Sequence, residues 1–228
     1  YCRRYKAKLL ETEMSKVHPA RLTIAPAFFR CQVDMFGPYD ALCEHNCRAV
    51  VSVWGLIFKD PASHAIAVYA CPKSDTGEII RAYTRHAFRY GHPAKLFIDG
   101  GSQLVKACKE MQISWTDLTT TLNSTYGVGV EHEICPPLAH NQHGMVERSV
   151  LEIKRLFHQV FKGVRLDIFA YETAFQFCAN ELNSLPICLG SRTDNLSSLD
   201  LITPNRLLLG RNNRRAPVGY GRIETQRF

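Results

Sequence analysis

The chain has 228 residues, 46% of them hydrophobic and 21% charged, a globular composition that excludes a disordered tail, a collagen-like repeat and a coiled coil. Its net charge of +7 suits a polyanionic partner such as nucleic acid. Nine cysteines, odd in number and scattered from Cys2 to Cys188, lack the spacing of a disulfide scaffold and favour reduced thiols. No apolar run approaches the roughly 18 residues of a membrane span, so no membrane partner is expected. Tyr1, Arg3, Arg4, Lys6 and Lys8 lead into no signal-peptide core, and the chain reads as a fragment of something longer.

Up to about Ala25 the sequence is polar and basic without a clear period. Phe29 to Pro38 partly alternates and meets a Gly37-Pro38 stop, which predicts a strand with Asp34 on it or at its end. Arg48 to Phe58 and Ala65 to Ala70 read as two more strands joined by the turn Lys59 to Ser63. Asp75 is a predicted N-cap for a helix from Gly77 to Tyr90, with Ile79, Ile80, Tyr83 and Ala87 at helical spacing and Gly91-His92-Pro93 as its stop. Lys95 to Asp99 is a short buried strand ending on an acid, and Gly100 to Ser102 turns into a helix through about Met111. That places Asp99 at the carboxyl end of a strand, where open α/β sheets put their sites.

Residues 116 to 129 have no apolar period and read as a surface insertion, and Val128 to Cys135 as a strand. Pro136-Pro137 predicts a loop to about Gln142. Met145, Leu151, Phe157 and Phe161 then mark a helix carrying Glu147 near its start, and a further helix covers about Leu166 to Leu185, ending at Pro186. Cys188 to Phe228 is polar and turn-rich apart from Leu199 to Leu209. No internal repeat is present.

Asp34, Asp99 and Glu147 each hold a structurally cued position. Three carboxylates converging in one pocket would raise one another's pKa, so the arrangement makes sense chiefly with divalent cations neutralising it. Oxygen ligands suit Mg²⁺ or Mn²⁺, and two such ions roughly 3.5–4 Å apart can activate a water or a 3′-hydroxyl for in-line phosphodiester displacement. The bland alternative is a turn-capping Asp, a strand-end Asp and a solvated helix Glu. The Cys43, His45 and Cys47 cluster would need at least one more ligand to hold zinc, and Trp54 and Trp115 read as core or interface residues.

Val33 to Pro38, Phe97 to Gln103 and Asn141 to Glu147 resemble the three signature segments of the retroviral-type integrase core. Trp54 to Phe58, Leu182 to Pro186 and Ile202 to Arg211 further resemble integrases of the BEL/Pao group of LTR retrotransposons. The resemblance covers about Cys2 to Arg211. It implies an α/β, ribonuclease-H-like fold with a mixed five-stranded sheet flanked by helices. It also implies a core at 25–189, preceded at 1–24 by the tail of a zinc-binding module and a linker and followed at 190–228 by an extension or linker. Asp34, Asp99 and Glu147 would be the catalytic acids holding two Mg²⁺ or Mn²⁺ ions, with Zn²⁺ confined to the upstream module, whose last ligand Cys2 resembles. The implied activity is 3′-end processing of element DNA and strand transfer into target DNA, by a homodimer or higher multimer, in the nucleus after a cytoplasmic phase.

Lys154 lies two helical turns beyond Glu147 on the same face and matches a lysine that contacts viral DNA ends in retroviral integrases. Arg148 and Arg155 on neighbouring faces would hold phosphates or simply be solvated. Pro136 to Gly144, with Asn141, Gln142 and Gly144, matches the family's mobile active-site loop, where Gly144 would give the backbone freedom to close over DNA. His140 and His143 read as exposed loop residues. Three departures stand out: the Asp99 to Glu147 interval is wide, Gly100 replaces the expected Asn or Gln, and Leu151 replaces a second lysine. The rivals are a domesticated integrase-like module that binds DNA or protein without cutting, and a ribonuclease-H-type nuclease that cleaves without joining.

Overall fold

In the computed structural model the described residues are 22–23, 25–43, 46–98, 104–107, 109, 131–134, 140–189, 201–211 and 213, with backbone alone for 46–49, 131–134, 140–143 and 189. The elements are β1 (Arg30–Cys43), β2 (Asn46–Lys59), β3 (Ile66–Cys71), α1 (Thr76–Tyr90), β4 (Lys95–Ile98), β5 (Glu131–Ile134), α2 (His140–Phe161), α3 (Ile168–Asn183), β6 (Cys188–Leu189), β7 (Leu201–Ile202) and α4 (Pro204–Leu209). The main sheet runs in the order β3-β2-β1-β4-β5. β1, β2 and β3 form an antiparallel meander, while β4 joins β1, and β5 joins β4, in parallel. This is a mixed α/β sheet flanked by helices.

Alternation along the strands sorts side chains to two faces. Cys31, Val33 and Met35 of β1, with Leu56 and Phe58 of β2, meet Ile79, Ala82, Tyr83 and Ala87 of α1 on one face. On the other face Phe36, Val53, Ile57 and Val68 meet Val146, Val150, Ile153 and Phe157 of α2 and Tyr171, Phe175 and Cys178 of α3. Both helical stripes recur every three to four residues, the period that keeps one side of a helix against a sheet.

Gly37-Pro38 does not stop β1. The strand continues to Cys43 through a register shift between Phe36 and Tyr39, where Gly37 takes φ +128°, a conformation open to glycine and strained for other residues. Gly55 of β2 has a different role: a Cβ there would stand 2.3 Å from Phe36 Cζ, so its missing side chain makes room for the Phe36 ring across the strand. Asp75 caps α1 by accepting from Glu78 N at 2.9 Å, and Asp167 caps α3 by accepting from Ala170 N at 2.7 Å. β6, at the end of the expected core, pairs with β7 of the expected extension, and α4 of that extension docks on α3 through Asn205, whose Nδ2 donates to Asn180 Oδ1 at 3.0 Å and to Ser184 Oγ at 2.9 Å.

Candidate metal and DNA site

Because Cys31, Val33 and Met35 turn toward α1, the intervening Gln32, Asp34 and Phe36 turn to the face covered by α2 and α3. Asp34 is half-buried and sits opposite Ile57, a member of the core on that face. Its Oδ1 accepts from the Met35 backbone N–H at 2.7 Å, which fixes the carboxylate against its own strand. In the described register the last parallel pair of β1 and β4 is Val33 with Ile98, so Asp34 is the next residue on β1 and the chain leaves β4 beside it. Ile98 also pairs with Ile134, which brings the carboxyl end of β5 to the same edge. Asp99 follows Ile98 directly and lies outside the described residues, as does Gly100.

The third acid rides on α2. Val146 and Ile153 are fully buried against the sheet and Val150 and Phe157 nearly so, which seats the helix on the face that Asp34 shares. Glu147, one position past Val146, is exposed at the margin of this packed stripe. Lys154 is also exposed, as is Arg155. Arg148 pairs with Glu152 one turn on, Nε to Oε1 3.1 Å, with 82% of its side chain exposed, so its charge is partly answered within the helix.

The expected loop from Pro136 to Gly144 is corrected at its far end, since α2 begins at His140. Asn141 and Gln142 therefore lie in the first turn of a helix, and Gly144 is helical, exposed and open around the position of a Cβ. A glycine inside a helix costs roughly 0.5–1 kcal/mol relative to alanine, too little to end a helix of 22 residues held by a buried apolar stripe. Pro136 and Pro137 lie outside the described residues.

Two polar neighbours of Asp34 escaped the sequence reading. Gln32 and Lys59 are both buried and pair across β1 and β2 on the same face as Asp34. Lys59 Nζ donates to the His64 carbonyl at 2.6 Å. Burial lowers its pKa to about 8, against the opposing pull of the Glu152 and Asp60 carboxylates. A lysine ending the apolar run Val50 to Phe58 looks from sequence like an ordinary strand-end charge, and its burial comes from the fold.

Among the described residues no group of three His, Cys, Asp or Glu side chains is placed to hold a metal ion. Cys43 is a half-buried free thiol, Cys47 is described by backbone alone, and His45, Cys2 and Trp115 lie outside the described residues. No helix among those described is long and apolar enough to cross a membrane.

No family model matches the chain, and no curated protein matches it. Solved structures do. A chain of the simian T-cell lymphotropic virus intasome, solved in complex with the PP2A regulatory subunit B56 gamma, shares 15% identity over 89% of this chain, with a TM-score of 0.54. The HTLV-2 integrase catalytic core domain in complex with magnesium, in a trimeric form, shares 17% over 80% of this chain and 97% of its own (TM-score 0.46). The BIV integrase catalytic core domain shares 15% over 80% and 94% (TM-score 0.49). This chain spans 61% of the length of the intasome chain. Identity at this level speaks to architecture, and what the intasome comparison shows is a common α/β fold.

Proposed function

We propose that this chain is the catalytic core of an integrase of the retroviral superfamily, of BEL/Pao LTR-retrotransposon type, with a ribonuclease-H-like fold. On this reading it performs metal-dependent 3′-end processing and strand transfer of element DNA into target DNA. The observation that carries it is the register at the sheet's carboxyl edge. Val33 pairs with Ile98, so the strand leading to Asp99 ends beside Asp34, on a sheet whose Asp34 face carries the helix of Glu147.

The donor set fits Mg²⁺ or Mn²⁺, since all three side chains offer hard carboxylate oxygens and no soft ligand joins them. Asp34 and Asp99 would hold the ions between neighbouring strands, and Glu147 would complete the set from the helix. When bound, two such ions supply Lewis-acid activation of a water or 3′-hydroxyl and stabilise the leaving oxygen. The protein's own share is alignment. Asp34 is fixed by its bond to Met35 N–H, and α2 is fixed by its apolar stripe, so the groups that place the phosphodiester ride on rigid elements. Lys154, with Arg148 and Arg155, would hold backbone phosphates, and the first turn of α2 with Asn141, Gln142 and Gly144 would border the DNA end. A homodimer or higher multimer joins two ends, with zinc confined to an upstream module ending at Cys2, and integration takes place in the nucleus.

The test is Mg²⁺- and Mn²⁺-dependent cleavage and joining on a branched DNA that mimics a strand-transfer product, with Glu147→Gln alongside. The expected result is metal-dependent joining that falls at least a hundredfold in the variant. Cleavage without joining would replace this reading with a nuclease, and DNA binding without either reaction would replace it with a binding module.

A further inference from the structure

The buried stripe of α2 has an opposite side. Arg148, Arg155 and Lys162 recur at seven-residue intervals, two helical turns each, along the line that faces solvent, and all three are exposed. Lys154 and His158 flank that line, and Arg165 extends it past the helix end, all exposed as well. From Ile153 to Leu166 the chain contains no Asp or Glu.

The acids on the neighbouring elements do little to answer this charge. Asp167 is engaged as the N-cap of α3, and Asp40 of β1 is exposed near Tyr171, which donates to the Asp40 carbonyl at 2.9 Å. Elsewhere exposed arginines of these helices are answered by a carboxylate within a turn, Arg81 by Glu78 on α1 and Arg148 by Glu152 at the start of α2. Lys154, Arg155, Lys162 and Arg165 have no carboxylate partner among the described residues.

We infer that the distal half of α2 and the turn after it form a phosphate track for duplex DNA, centred on Lys162 and Arg165. This inference rests on the DNA-binding part of the reading above and extends it away from the acids. At 1.5 Å per residue, Lys162 lies about 22 Å along the helix from Glu147. That corresponds to about six base pairs of duplex at 3.4 Å each. The track grips DNA flanking the reacting bond, through charge on phosphates and without reading sequence. Unpaired cations spaced along one exposed line have the chemistry for this, because each phosphate neutralised releases condensed counterions.

The experiment is fluorescence anisotropy of the full chain on a labelled mixed-sequence duplex of 30 base pairs across a NaCl series, without divalent ions. Lys162→Ala/Arg165→Ala is compared with Lys73→Ala/Lys109→Ala, which removes the same charge from exposed sites elsewhere. Circular dichroism checks that each variant is folded. The track variant is expected to lower the slope of log K against log[NaCl] by about 1.8, at about 0.9 per phosphate contact, and to weaken low-salt binding roughly tenfold or more, while the control pair leaves the slope unchanged. Equal slopes for wild type and track variant, or an equal drop in the control pair, overturns the track and leaves the integrase reading standing. A wild-type chain that binds no duplex overturns both.

Discussion

His86 stacks face to face on Phe58 with ring centroids 4.1 Å apart and meets the edge of Phe28 at 4.8 Å. Its Nδ1 lies 3.4 Å from the Tyr69 hydroxyl and its Nε2 3.9 Å from Cys31 Sγ. Burial, reinforced by the Arg89 charge, lowers its pKa to about 3, so the ring is neutral in the folded chain. Unfolded, the same group titrates near 6.5. Between those two pH values the unfolded chain holds the extra proton, so His86's contribution to stability is complete above about pH 6.5 and is lost as pH falls, by up to about 1.4 kcal/mol per pH unit. Denaturant unfolding at pH 7.0, 6.0 and 5.0 is expected to show a smaller loss for His86→Phe than for the wild type, and parallel losses would remove His86 as the cause. At this scale the sequence was partly legible. His86 follows Tyr83 by three residues, so its inward face was readable from the period of α1, but its partners come from strands 17 and 55 positions away. Asp60 makes the same point: it reads as a turn residue, and it is buried, accepting from Phe28 N at 3.1 Å and from Ser63 Oγ at 2.6 Å.

β3 ends the sheet, and an exposed strand edge invites pairing with other chains. Here side chains stand in for a neighbouring strand. Asn183, at the end of α3, accepts from Ile66 N and donates to Ile66 O, both at 2.8 Å. Glu172 accepts from Ala70 N, and Arg85 donates to Ala70 O at 3.1 Å. Asn183→Ala would leave a buried backbone donor and acceptor without these bonds, at about 1–3 kcal/mol each. It is expected to lower unfolding stability by about 2–4 kcal/mol, read from urea midpoints, with Asn183→Asp intermediate because it keeps the acceptor for Ile66 N. A loss below about 0.5 kcal/mol in Asn183→Ala would mean the edge is satisfied by other means. Elements whose ends are set locally were legible: α1 starts at its Asp75 cap and stops before Gly91, which takes φ +91°. β1 and α2 were misread where tertiary context overrides local cues. Pairing with β2 carries β1 through Gly37 and Pro38, and burial of α2's apolar stripe holds Asn141 to Gly144 in a helix.

For the whole molecule, the acids proposed to hold metal come from distant parts of the sequence, and the parallel pairing of Val33 with Ile98 sets the end of β4 beside Asp34. The pattern that exposed them was their position at a strand, a strand end and a helix start; convergence itself depends on the parallel register of β1 and β4, which no local signal encodes. If Asp34, Asp99 and Glu147 do converge, their mutual repulsion opposes folding in the absence of cations. The unfolded chain has no such cluster, so divalent ions would bind the folded state and stabilise it. For a dissociation constant of about 1 mM, 10 mM Mg²⁺ adds about 1.4 kcal/mol, which in a domain of this size raises the melting temperature by about 3–5 °C. Glu147→Gln removes one charge and one ligand from an exposed helix position, so it is expected to fold as well as the wild type while losing most of the Mg²⁺-dependent gain. Thermal melts in 10 mM MgCl₂ against NaCl of equal ionic strength separate ligation from screening, which acts on every surface charge alike. An equal rise in wild type and Glu147→Gln, or one that NaCl reproduces, would show that these carboxylates do not share an ion, whatever the chain does with DNA.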